Sequence, residues 1–384
     1  MRHLMTKHTF GIMICALTAV SSSAVLAQRP DVPVVRLGAL DAQFAEPFSQ
    51  VAGFRELSDG RLLIADQIEQ ILARIDFETG AYEVLGRQGQ GPGEYVMPGA
   101  LFALPGDTTL MVDGMGRRML VVGPNGHISS NTIPLRHPSG FPIIARGVDR
   151  RGRIYFDLAG LMMPGMEEMG AAGEAPLMRW DPGAGILDTL GYVHFPPMEP
   201  VGPGEMRVRL GGGAFEGRDA WSMAPDGRIG IARHEDYHVE WLQPGGRSVA
   251  GRPVPYEPVR IGRAEKDAWA DAVATRGMRV EVENGRRRVG RPPRPDVDRM
   301  EFPEVMPPFP AGAVYASPDG ELWVERSRPA DQARRTYDVF DASGNRSRQV
   351  VLPESRRLLG FGDGVLYVIR TDDDGLEWIE RYRL

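Results

Sequence analysis

Cysteine is nearly absent from this 384-residue chain, Cys15 being the only one. It falls within the apolar run Phe10–Val20, which follows Arg2 and Lys7 and precedes Val25-Leu26-Ala27. A positive start, a short apolar run and small residues at the cleavage position mark residues 1–27 as a secretory signal peptide. Gln28 then opens the mature chain. The run is shorter than the about 20 residues that span a bilayer, so no transmembrane segment is expected in the mature protein. Cleavage removes Cys15 and with it any disulfide, thiolate metal site or cysteine nucleophile. A periplasmic or secreted protein of this kind must hold together by burial, for which 384 residues at 42% hydrophobic content suffice.

Lysine is almost as scarce, with only Lys7 and Lys266, so arginine carries nearly all the positive charge. Net charge is −6, and −8 once Arg2 and Lys7 leave with the signal peptide. Phosphate backbones require a basic surface, so nucleic acid is excluded as the main partner. Helical periodicity is missing before residue 262. No G-x-S-x-G elbow leads into a helix, and no Walker or Rossmann string has its required context.

Glycine (47) and proline (32) are plentiful, and they punctuate a repeat. Each copy has a tight turn, an alternating strand, a break and a second strand. The paired strands are 61–66 with 71–76, 108–113 with 118–122, 153–157 with 177–181, 228–233 with 238–243, 321–326 with 336–341, and 365–370 with 376–384. Pro-Asp-Gly or Gly-Asp turns, such as Pro225-Asp226-Gly227 and Pro318-Asp319-Gly320, supply the positive φ of hairpins. Further apolar stretches flank each pair, giving four antiparallel strands per unit at a period of about 40–50 residues. The expected fold is all-β, a six-bladed β-propeller in one domain, 28–384. The last unit runs out of chain after three strands, while VPVVRLG (32–38) is left unpaired. Setting 32–38 as the outer strand of blade six closes the ring and removes two exposed edges.

At the exit of the first unit stands Gly86-Arg87-Gln88-Gly89-Gln90-Gly91-Pro92-Gly93-Glu94-Tyr95, with Pro98 beyond, and the chain ends on IERYRL. These strings, with ELWVER and YDVFDASG, resemble the bacterial six-bladed β-propeller family related to NHL-repeat proteins. The resemblance implies an exported propeller. NHL relatives include both scaffolding modules and lyases, so it leaves binder and enzyme open. A weaker echo is Gly202-Pro203-Gly204-Glu205. Both strings read physically as tight crossovers, because a strand rather than a phosphate-cradling helix follows.

Hairpins joining strands two and three share a propeller face with the crossovers between blades. The long segments 158–176, 194–213, 251–308 and 327–335 are all of these kinds, so they gather on one face and mark it as a binding surface. The largest, 251–308, contains the single expected helix, 263–278, with Trp269, Val273 and Ala274 on one side. From Arg260 to Arg299 it carries 11 basic and 7 acidic residues, about +4 in an acidic protein. A basic lid of this sort favours an anionic ligand. Met162, Met163, Met166 and Met169 cluster in the third unit's loop.

His234-Glu235-Asp236-Tyr237-His238 spells the zincin signature, but the repeat puts it in a hairpin, where no helix presents the two histidines to one metal. Asp66, Asp113 and Asp157 recur at the end of strand two in units one to three, and Arg233, Arg326 and Arg370 replace them in units four to six. A rim of three carboxylates facing three guanidiniums suits a zwitterionic or sugar-like ligand, or Ca²⁺. Glu94 and His234 join these six as candidate ligand-binding residues; no catalytic residue and no metal ligand stands out. Asp372-Asp373-Asp374-Gly375 lacks the glutamate of a calcium loop. The reading is a monomeric binding module for a small molecule, glycan or protein. The alternative is a metal-dependent, lactonase-like hydrolase or lyase with its site in the central channel.

Overall fold

Each repeat folds into a four-stranded antiparallel blade because its strands are apolar on both sides. In Leu62–Asp66 every residue is buried, yet neighbours along the strand leave for opposite seams. Leu62 and Ile64 enter the core shared with the last blade, and Leu63 and Ala65 the core shared with the second. Six such cores, one at each seam between adjoining blades, close the ring. Each large aliphatic or aromatic side chain so buried contributes roughly 1.5–3 kcal/mol.

The computed structural model describes residues 32–162, 167–199, 207–208, 213–283 and 286–384. The signal peptide, Met163, Met166 and the Gly202-Pro203-Gly204-Glu205 string lie outside them. Val32–Leu384 forms one compact unit. From inside outwards, blade one is Val51–Glu56, Leu62–Asp66, Ile71–Ile75 and Tyr82–Leu85. Blade two is Pro98–Ala103, Thr109–Asp113, Arg118–Val122 and Ile128–Pro134. Blade three is Gly147–Val148, Ile154–Asp157, Glu174–Asp181 and Ile186–His194. Blade four is Ala220–Met223, Ile229–Arg233, His238–Leu242 and Ser248–Ala250. Blade five is Val314–Ala316, Leu322–Glu325, Thr336–Phe340 and Arg346–Val351. Blade six has Arg356–Phe361, Val365–Thr371 and Glu377–Arg383.

The ring closes at the N-terminus, one blade away from where the sequence placed the orphan strand. Val34–Arg36 lies parallel to Gln349–Val351 as a fifth strand on blade five. The outer strand of blade six is instead the short Ala42–Gln43, antiparallel to Glu380–Arg381. Phe44 and Phe48, both 2% exposed, then drop into the seam between blades six and one. Anchoring by two buried rings outweighs the stronger β-propensity of 32–38.

Inner strands meet closely near the axis. A Cβ on Gly53 of blade one would sit 2.1 Å from the Gly99 carbonyl oxygen of blade two, so only glycine fits. In the glycine string, Gly86 and Gly93 have φ of 68° and 71°. Glu94 accepts the Gly91 N–H at 2.8 Å and pairs with Arg87 at 2.6 Å. Tyr95 plugs the seam, donating to the Leu85 carbonyl at 2.9 Å and accepting the Leu72 N–H at 3.1 Å.

Among the described residues two α-helices occur rather than one, besides a single 3-10 turn at Val297–Arg299. Helix α1, Glu167–Ala172, sits in the blade-three loop. The glycines at 170 and 173 hide it from sequence pattern, and tertiary bonds hold it: Met198 N–H to Gly170 O at 3.0 Å and Phe195 N–H to Gly173 O at 2.8 Å. Helix α2, Arg263–Arg276, opens on a Glu265 carboxylate that accepts the Gly262 N–H at 2.9 Å. Its Trp269 packs edge-on against Phe302, and Ala270 is its buried centre. A hairpin of Arg279–Glu283 and Arg286–Gly290 follows. The insertion is pinned across the long-loop face. Gln50 Nε2 of blade one donates to the Arg276 carbonyl at 2.5 Å. Arg291 donates to the carbonyls of Ser49 and Gly375. Among the described residues no helix is long and apolar enough to cross a membrane.

Candidate functional site

The aspartates that end strand two latch the inner strand's entry to the adjacent hairpin. Asp66 accepts the N–H groups of Ser49 and Gln50 at 2.6 and 3.2 Å, and those of Ile68 and Glu69 at 3.0 and 3.1 Å. Burial raises its pKa, and the four backbone donors pull it back. Asp113 does the same for Val96, Met97 and Gly116 and also meets Arg118 at 3.2 Å. Both carboxylates are buried.

Asp157 differs. Its Oδ1 accepts the Ala159 N–H at 3.0 Å, while its Oδ2 accepts Arg146 and the Trp221 indole N–H, each at 2.7 Å. Arg146 also lies over the Trp221 ring, 5.0 Å from its centroid. In blade four the latching carboxylate comes from the other side, from Asp219 at the entry of the inner strand. It accepts the backbone N–H of His194 at 2.9 Å and of His234 at 3.1 Å.

Three side chains converge on the same carboxylate. The Nδ1 atoms of His194 and His234 lie 2.9 and 3.0 Å from its two oxygens, and Arg233 donates at 2.7 Å. Burial alone would raise the Asp219 pKa; the bonds from His234, the His194 backbone and Arg233 more than offset this and hold it well below the usual carboxylate range. An ionised carboxylate only accepts, so Nδ1 of each imidazole carries the hydrogen and Nε2 is left for other chemistry. In His194, Nε2 stands 3.5 Å from Glu174.

A cavity of about 350 Å³ opens at this point, lined by Ile144, Arg146, Asp157, His194, Asp219 and Gly312 among others. These residues enter or leave blades three, four and five on the long-loop face. Arg146 and Asp157 supply one charged wall, His194 and Asp219 another. Such a recess offers donors, an acceptor and a proton-transfer group within one apolar frame.

The rim of opposed charges drawn from the repeat is not brought together. Arg326 pairs with Asp338 at 3.8 Å and Arg370 with Glu380 at 3.2 Å, each inside its own blade. Arg233 pairs with Asp219 and, at 2.6 Å, with Glu240. Of the eight sequence candidates, Asp157, Arg233 and His234 gather at this site, while Asp66, Asp113, Glu94, Arg326 and Arg370 serve elsewhere. Arg146, His194 and Asp219 carried no repeat signal. His234 and His238 diverge, His238 turning to Asp236 at 2.5 Å. Asp372 is spent on the Leu376 N–H at 2.8 Å and the Trp378 indole at 2.7 Å. Among the described residues no three His, Cys, Asp or Glu side chains are grouped to hold a metal.

No family model matches the chain, and no curated protein matches its sequence. Solved structures do. A member of the duf4221 family from Bacteroides vulgatus is 10% identical with a TM-score of 0.49, over 91% of this chain and 95% of that one. An exported protein from Bacteroides fragilis is 12% identical with a TM-score of 0.49, over 91% and 93%. A calcium-binding regucalcin from Agrobacterium tumefaciens is 12% identical with a TM-score of 0.43, over 91% and 96%. These are likenesses of fold alone.

Proposed function

We propose that this chain is an exported, monomeric propeller that binds a small polar ligand in the cavity between blades three, four and five. The observation that carries the reading is the convergence of Arg146, Asp157, His194 and Asp219 on one cavity of about 350 Å³. The signal-peptide pattern of residues 1–27 supports export, and the glycine string 86–95 supports kinship with NHL-type propellers. Ca²⁺ remains a candidate ligand of the carboxylates rather than a resident cofactor.

A second reading has its own observation. Two imidazoles on one buried carboxylate are the arrangement that orients a general base or acid, with His194 itself among the cavity-lining residues. That favours a lyase or hydrolase acting on the same ligand.

Thermal shift of the mature protein against sugar acids, lactones, amino acids and Ca²⁺ tests both readings, with hits followed by NMR. A ligand whose effect disappears in Arg146→Ala and His194→Ala supports the cavity. Turnover in the wild type that His194→Gln abolishes, with binding retained, moves the assignment to catalysis. Hits that both variants leave untouched remove the cavity from consideration.

A further inference from the structure

Four arginines neighbour one another at the seam of blades five and six. Arg335 and Arg357 flank Tyr337, whose hydroxyl donates to Glu325 at 3.0 Å and accepts the Leu358 N–H at 3.1 Å. Glu377, the partner of Arg357, accepts the N–H of Val51, next to the Gln50 that holds Arg276. Arg328 and Arg335 lie in the loop that splits blade five, and Arg357 is the second residue of the inner strand of blade six. Arg276 ends helix α2 of the insertion. Arg335 is ion-paired to Glu325, and Arg357 to Glu377 at 2.8 Å. Among the described residues the other two are in no ion pair. Among the described residues Arg276 is held only through its backbone carbonyl, and Arg328 donates only to the Gln332 carbonyl.

Two guanidiniums are therefore left without an ion pair in a protein of net charge −6, with Glu325 acting on both and Glu377 on Arg276 only from beyond ion-pair distance. Their neighbourhood pushes both below the usual arginine range. For Arg276 the cause is surrounding protein and then Arg335 and Arg357; for Arg328 it is burial and then Arg335. Arg276 nonetheless stays open to solvent. More donors face the same spot. The Arg357 Nε is buried with no partner. Tyr315, edge-on to Tyr337 and beside Arg276, Arg335 and Arg357, uses its hydroxyl in no hydrogen bond among the described residues. Like charges gathered at this cost, with open donors between them, call for an anion.

We propose that Arg276, Arg328, Arg335 and Arg357, with the Tyr315 hydroxyl, form a binding site for a small multivalent oxyanion bearing phosphate or carboxylate groups. Glu325 and Glu377 hold Arg335 and Arg357 in place and fix the direction of their forks. Helix α2 contributes one of the four cations, so the anion ties the insertion to blades five and six. None of these five residues lines the cavity between blades three, four and five.

The test is calorimetric titration of the mature protein with inorganic phosphate and, separately, citrate, against sodium chloride at matched ionic strength. Saturable binding with a raised melting temperature is expected. Arg276→Ala and Arg328→Ala should each weaken it about tenfold or more, as for loss of a charge-assisted bond. Arg151→Ala, in an exposed turn of the opposite face, should leave it unchanged. Neither replaced side chain holds an ion pair, so both variants should melt as the wild type does. Binding of phosphate alone identifies a phosphate ligand, and of citrate alone a polycarboxylate. No heat beyond the chloride control, or equal affinity in Arg276→Ala, overturns the proposal.

Discussion

His194 and His234, from the exit of blade three and the hairpin of blade four, donate from Nδ1 to opposite oxygens of Asp219 at 2.9 and 3.0 Å. One carboxylate thus sets the orientation of two imidazoles and joins two blades. Asp219 is 1% exposed at its side chain and also holds Arg233.

Replacing Asp219 by Asn should destabilise the fold by about 3 kcal/mol at neutral pH, because Arg233 and both imidazoles lose a buried ionised partner. The folded-state pKa is depressed, so the stabilisation is present above the unfolded value of 3.8 and fades as pH falls towards the folded one. Urea denaturation of both proteins between pH 4.5 and 2 should show the gap narrowing with acid. A constant gap would show that the charge is not what stabilises.

Asp66→Ala should cost about 2–3 kcal/mol without altering ligand binding, since Asp66 serves four backbone N–H groups and no cavity wall. Amide exchange at Ser49, Gln50, Ile68 and Glu69 should accelerate selectively. Unchanged protection there would contradict the latch.

Gly53→Ala should be far more damaging than its size implies. The new methyl would lie 2.1 Å from the Gly99 carbonyl oxygen, and blades one and two would have to part. A loss of about 3 kcal/mol or more is expected from overpacking against backbone. Thermal melts of Gly53→Ala beside Gly60→Ala, which meets nothing within 4 Å, separate crowding from backbone strain.

Truncation tests the closure. A chain starting at residue 39 loses only the fifth strand of blade five and should still unfold cooperatively. One starting at residue 46 also loses Ala42–Gln43 and Phe44, which opens the ring and removes a buried ring worth about 3–5 kcal/mol. Equal melting temperatures for the two would return the closing role to neither strand.

The blades were legible because their signals are local. Turn glycines, such as Gly60, Gly227 and Gly320 with φ near 80°, and strands apolar on both faces are written within a few residues. The misplaced N-terminal strand shows where locality ends. Residues 32–38 look more strand-like than Ala42–Gln43, but pairing partners are chosen by where Phe44 and Phe48 find a seam. Helix α1 was hidden for a similar reason, being held by bonds from Phe195 and Met198 rather than by propensity.

Six blades, a glycine crossover, the long loops and a basic insertion could be read along the chain, because each follows from near neighbours in it. Which charges meet is set by the folded ring. Ring closure brings Asp219 to His194 and His234, and helix α2 to Arg335 and Arg357, across separations that leave no repeat or spacing to read. Electrostatic energy depends on distance in space, and in a closed ring that distance is fixed by the whole circle of seams at once.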